Sequence, residues 1–135
     1  MDRLDKILLF AIKKHFGQTD KAGEPYIHHP LYLALQLETE SEKVVAILHD
    51  ILEDTDTQLT ELMEIGVTDD ELEAIKILTH DKKTTYMDYI KEIPKNELAK
   101  KVKIKDLKHN LSDRGIKISK SLTERYIKAL NYLEQ

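Results

Sequence analysis

The stretch "VVAILHDILEDT", Val44 to Thr55, limits the possible folds more than any other. Val44, Val45, Ile47, Leu48, Ile51 and Leu52 make it apolar enough to be buried, yet His49, Asp50, Glu53 and Asp54 are set among them. At ~100° per residue the six aliphatics fill an arc of roughly 160°, and His49, Asp50 and Glu53 share the next arc, with Asp54 on the other flank. A carboxylate bordering a core is costly unless it is paired or bound to a cation. Such a helix needs other helices to cover it and partners for its polar strip.

The rest of the chain can supply the helices. Leu4, Ile7, Leu8, Ala11 and Ile12 recur at helical spacing and predict a first helix from about Asp2 to His15. "GQTDKAGEP" breaks it, and a second helix follows Pro30 through "LYLALQLE". A third is expected from Ser41, as its N-cap, to about Asp54. Thr57 is read as the cap of a short helix stopping at Gly66, and Thr68 and Asp69 as cap candidates for the next. "TTYMDYIKEI" ends at Pro94, "KNELAKKVKIKDLKHNLSD" is long, and "SLTERYIKALNYLEQ" closes the chain. No segment alternates with period two for long enough to be a strand. The reading is one all-α domain over residues 1–135, with seven or eight helices.

Composition narrows the chemistry. There is no cysteine, so disulfides, thiolate metal sites and thiol nucleophiles are excluded, and any metal must be held by nitrogen and oxygen. A net charge of -4 does not suit a general nucleic-acid binder. No stretch approaches the roughly 18 apolar residues of a membrane span. The N-terminus lacks the marks of a signal peptide, so the cytoplasm is the expected location.

Two further places offer ligands for the His49–Asp50 strip. "PYIHHP" holds two histidines in a loop pinned by Pro25 and Pro30. In "KIKDLKHN", Ala99, Val102 and Asn110 fall within about 40° of Asp106, which puts that carboxylate on an apolar row. Each signal alone has a plainer reading. A His–Asp pair is most often a surface or capping pair, and the lysines of "KKVKIKDLK" read most simply as a solvated helix face. The joint occurrence points to a metal site.

That joint pattern resembles the HD-domain metal-dependent phosphohydrolases, above all the hydrolase domain of the RelA/SpoT-type alarmone enzymes and their small stand-alone relatives. The family runs from a His in a first helix through a Gly-rich loop to "PYxxHP", "LLHDxxEDT", a "TH" followed by "YxxYI", and "KxxDxxxN". This chain has "HFGQTDKAGEPYIHHP", "ILHDILEDT", "LTHDKKTTYMDYI" and "KIKDLKHN" in that order, over roughly residues 8 to 114. The resemblance implies an HD-domain helical bundle with His29, His49, Asp50 and Asp106 as metal ligands; His28 matches a variable position. Ligand type suits Mn²⁺, Fe²⁺ or Zn²⁺, and the resemblance favours Mn²⁺. It makes Glu53 and Asp54 the residues that position or deprotonate the attacking water. Asn110, Lys21 and Tyr26 fall to the nucleotide pocket, Tyr26 with a role that is largely structural.

The implied reaction removes the 3′-pyrophosphate of (p)ppGpp, the guanine nucleotide of the stringent response, to give GDP or GTP. A nucleotide phosphatase on the same centre and a non-catalytic nucleotide sensor are the alternatives. One position departs from the pattern. The family's first loop carries a basic residue facing the nucleotide where this chain has Asp20, and an aspartate there is expected to repel an anionic substrate.

Overall fold

Side-chain caps decide where most helices begin. In the computed structural model, which describes all 135 residues, α1 (Arg3–His15) starts at Asp2, whose carboxylate accepts the Asp5 N–H. α3 (Glu40–Leu48) and α6 (Asp69–Leu78) start with reciprocal boxes, Thr39 with Glu42 and Thr68 with Glu71. Thr85, Asn96 and Ser119 cap α7 (Tyr86–Glu92), α8 (Glu97–Leu111) and α9 (Lys120–Leu133). Between these lie α2 (His28–Leu35), α4 (Ile51–Asp54) and α5 (Leu59–Glu64). A 3-10 turn at Ile93–Lys95 joins α7 to α8. α5 ends as read from the sequence: Gly66 takes φ +95° and passes its N–H to Met63, while Val67 reaches back to Leu62.

α3 is the centre. Val44, Val45, Ala46, Ile47 and Leu48 are all buried, because α1, α2, α6 and α8 pack around the helix. There is no sheet; a single bridge between Thr19 and Pro25 closes the loop after α1. No helix is long and apolar enough to cross a membrane.

Four local expectations are corrected. α2 begins at His28, ahead of Pro30, and ends at Leu35. Pro30 sits in the first turn, where a missing N–H costs nothing, so His29 is on a helix and not in a loop. Thr39, not Ser41, caps α3; the Ser41 hydroxyl donates instead to Glu71 at 2.6 Å. Thr57 is buried with its hydroxyl 2.7 Å from that of Thr55, and Gln58 starts α5. The predicted helix from Ser41 to Asp54 is two helices, because the backbone turns at His49 and Asp50. Asp50 takes φ -106° and ψ 3°, and the His49 N–H reaches Ala46 in place of Val45. That break raises the α-helix count to nine. α7 does stop just before Pro94, which lies inside the 3-10 turn.

A buried ion pair ties three helix starts together. Glu71 is fully buried and receives the Arg3 guanidinium through both oxygens, at 2.6 and 3.0 Å, with Ser41 and the Thr68 N–H as further donors. Burial raises the Glu71 pKa, but Arg3, Ser41 and Thr68 outweigh it and hold the group below its ordinary value. Its stabilisation is therefore complete above the ordinary glutamate range and lost as pH falls through the depressed folded value. Arg3→Ala is expected to cost about 2 kcal/mol, reduced from the fully buried case because Arg3 is partly exposed. Urea unfolding at pH 7 reads this as a lower midpoint with an unchanged slope. An unchanged midpoint would mean that Glu71 does not need Arg3.

Candidate functional site

The turn between α3 and α4 creates the site. It leaves His49 buried at the end of α3, with Nδ1 2.7 Å from the Ala46 carbonyl. A carbonyl can only accept, so Nδ1 carries the hydrogen. In the neutral ring Nε2 is then a bare lone pair. That atom is buried without a hydrogen-bond partner. It lies 3.1 Å from Asp50 Oδ2 and 3.5 Å from Asp106 Oδ1. His29 Nε2 approaches the same Asp106 oxygen at 2.7 Å. Ligand atoms of His29, His49 and Asp50 all fall within 4.8 Å of one another. Buried groups left unpaired are rare and costly. Two imidazoles and two carboxylates converging on one point form a donor set for a divalent cation. His28, next in line, is exposed.

The carboxylates are kept charged. Burial raises the Asp106 pKa, but Lys103 Nζ at 2.8 Å from Oδ2, with His29 and His49, drives it well below the ordinary value. Asn110 Nδ2 donates to Oδ1 at 3.2 Å. Burial likewise raises Asp50, and the neighbouring His49 more than reverses this, bringing it to about 2. Tyr26 donates its hydroxyl to Asp50 Oδ2. Burial pulls the His49 pKa down, but Asp50 and Asp106 together hold it well above the ordinary value. Protons and cations thus compete for the same small space.

His109 supports His29 from behind. It stacks between His29 and Tyr32, with centroids 4.9 and 4.1 Å away, and its Nδ1 is 2.6 Å from that of His29. Burial, then His29 and Arg114, lower its pKa to about 4, so the ring is neutral at pH 7.

The break in the helix also re-aims the pair after it. Asp54 joins Asp50 on the wall of a pocket of ≈ 310 Å³, although the unbroken wheel put it on the opposite flank. Glu53 turns towards the loop after α6, where it accepts the His80 N–H. Burial raises both carboxyl pKa values, and Asp50 raises them further. Lys21, Tyr26, His29 and Asn110 line the same pocket, and Ile116, Ile118, Leu122 and Tyr126 give it an apolar wall.

Three functional candidates were missed in the sequence. In the sequence Lys103 reads as part of a solvated lysine face, yet it is largely covered, over the Tyr89 ring at 5.4 Å and paired with Asp106. Its place three residues before Asp106 was the available signal. His109 follows the same logic one turn later. Arg114 lies 3.6 Å from Asp20, a pairing that the sequence does not show. Asp20 Oδ1 accepts the N–H groups of Ala22 and Glu24, and on the pocket wall its charge is paired with Arg114.

Comparison with known proteins follows the same lines. No family model matches the chain. It is similar to a guanosine-3′,5′-bis(diphosphate) 3′-pyrophosphohydrolase of Aquifex aeolicus, 45% identical over 67 residues, which is 47% of this chain and 10% of that protein. It is also similar to the Danio rerio enzyme of the same name called MESH1, 42% identical over 79 residues, 45% of this chain and 44% of that one. The chain therefore spans less than half the length of either relative. A solved structure, described as a metazoan ortholog of SpoT that hydrolyzes ppGpp and plays a role in starvation responses, superposes with TM-score 0.79. It covers 98% of this chain and 84% of its own at 21% identity. The resemblance to the RelA/SpoT-type alarmone hydrolases therefore holds: the chain has the all-α fold of that SpoT ortholog and, over less than half of its length, is related in sequence to proteins named guanosine-3′,5′-bis(diphosphate) 3′-pyrophosphohydrolase.

Proposed function

We propose that this chain is a metal-dependent phosphohydrolase that removes the 3′-pyrophosphate of (p)ppGpp, giving GDP or GTP and pyrophosphate. The observation that carries this reading is the bare, buried His49 Nε2 among Asp50, Asp106 and His29, of which Asp50 and His29 line a pocket with an apolar wall. We assign His29, His49, Asp50 and Asp106 as the residues that hold the cation, and Mn²⁺ as the ion. When bound, such a cation supplies Lewis acidity towards a phosphoryl oxygen and towards water.

The chain's own residues do the rest in this scheme. Ala46 and His109 fix the two imidazoles so that each presents Nε2 to the centre, as outer partners of metal-binding histidines do. Tyr26 orients Asp50, and Lys103 offsets the charge of Asp106. Asp54, on the pocket wall, holds the attacking water. Glu53 is steadied at one oxygen by the His80 N–H and accepts the proton with the other. Tyr126 and the isoleucines of the apolar wall suit the flat face of a purine, with Asn110 and Lys21 at its polar edge.

The test is product identification with the Mn²⁺-loaded protein and a panel of phosphorylated nucleotides. Pyrophosphate and GDP from ppGpp are expected. Orthophosphate as the first product would make the protein a phosphatase, and binding without turnover a sensor. Asp106→Asn is expected to lose bound metal while keeping its helical circular dichroism; a folded variant with full metal stoichiometry would refute the ligand assignment. Glu53→Gln is expected to keep metal and lose roughly 10²–10⁴-fold in kcat. Parent rates in that variant would remove Glu53 from the reaction.

A further inference from the structure

We infer that Arg114 is the cation that grips the phosphates of the nucleotide that are not being cleaved, in place of the basic residue that position 20 lacks. This rests on the phosphohydrolase reading above and names a substrate contact within it.

The geometry is a ladder. Asn110 gives its Nδ2 to Asp106 at 3.2 Å and accepts Arg114 Nη1 on its Oδ1 at 3.2 Å. Arg114 Nη2 then faces Asp20 Oδ2 at 3.6 Å. The ladder runs from the histidine–aspartate cluster along one side of the pocket to the loop after α1. Arg114 itself is mostly covered, with its side chain 18% exposed. It is therefore held in place, whereas Lys21, the other basic residue lining the pocket, is exposed. A guanidinium is a planar fork with five donors, suited to bidentate phosphate binding; an ammonium is a mobile point charge.

The fork is held loosely on its outer side. At 3.6 Å the Asp20 contact is an ion pair and too long for a hydrogen bond. Asp20 cannot close the gap freely, because its Oδ1 is bound to the Ala22 and Glu24 N–H groups at 2.9 and 3.0 Å. Asp20 is thus a fixed counter-charge that the loop needs for its own shape. A phosphate can form the short, charge-assisted contact that Asp20 does not. The acidic residue that departs from the family's loop is neutralised by this arginine, and the arginine takes over the contact.

Calorimetry with guanosine 5′-diphosphate and with guanosine, on the full chain, tests this, together with steady-state hydrolysis of ppGpp. Arg114→Ala is expected to weaken GDP binding about tenfold, the scale of one charge-assisted contact. Guanosine binding and metal content are expected to hold, and KM for ppGpp to rise with a much smaller change in kcat. The loss should shrink as salt is raised. Arg114→Lys should recover part of it. Asp20→Asn keeps an oxygen for both loop N–H groups while removing the charge, and should tighten GDP roughly threefold at low salt. If Arg114→Ala fails to fold, these two variants decide the matter. Parent-like GDP affinity and KM in the Arg114 variants, beside an active parent, overturn the assignment alone. Equal losses for guanosine and GDP also overturn it, by making Arg114 a base contact or a structural support. A parent that neither binds GDP nor turns over ppGpp removes the phosphohydrolase reading and this assignment with it.

Discussion

Asp106 is a carboxylate with almost no access to water, and the functional end of the molecule is organised around keeping it charged. Lys103, His29, His49 and Asn110 all direct donors or ring nitrogens at its two oxygens. An ion of this size moved unpaired into a protein interior costs several kcal/mol even after relaxation. The residues that offset that cost come from α2, from the end of α3 and from α8 itself. Those helices must therefore meet where they do, and the apolar residues of α3 supply the packing that brings them there.

Glu71 is the instructive contrast. It is equally buried and equally anionic, but Arg3, Ser41 and Thr68 satisfy both of its oxygens. Nothing around it is left over. At the other end of α3 the accounts differ, because His49 Nε2 has no partner while two carboxylates approach it. Two buried acids in one small domain thus have different meanings. The complete network holds the fold, and the incomplete one has room for a ligand.

Much of this was legible in the sequence. Thr68 as a cap, Gly66 as a stop and the apolar row around Asp106 follow from local rules, and local rules hold where one helix decides its own ends. The histidine–aspartate centre was legible because its residue types are rare on buried faces. What failed was the assumption of a continuous helix through Asp54. A helical wheel has no way to show a backbone turn, and the turn at His49 and Asp50 exchanges the aspects of Glu53 and Asp54. Lys103 was hidden among lysines that do face water, since charge alone does not say which one is covered. Arg114 lies past the end of α8, where helical spacing no longer applies, and its pairing with Asp20 spans most of the chain.

The charge balance of the pocket connects these observations. Asp50, Asp54 and Asp106 stand against one buried ammonium, that of Lys103, and Asp20 stands against Arg114. Counting these groups alone, and with the imidazoles neutral as a bound cation requires, the centre carries an excess of negative charge, and that is the wrong field for a polyphosphate. A divalent cation bound there would cancel the excess and turn the same residues from a barrier into a seat. Binding of the cation and binding of an anionic substrate are then linked through one electrostatic sum, so each strengthens the other. The arginine at the far end adds a second positive point, away from the cation, and a ligand with two separate anionic groups can satisfy both at once.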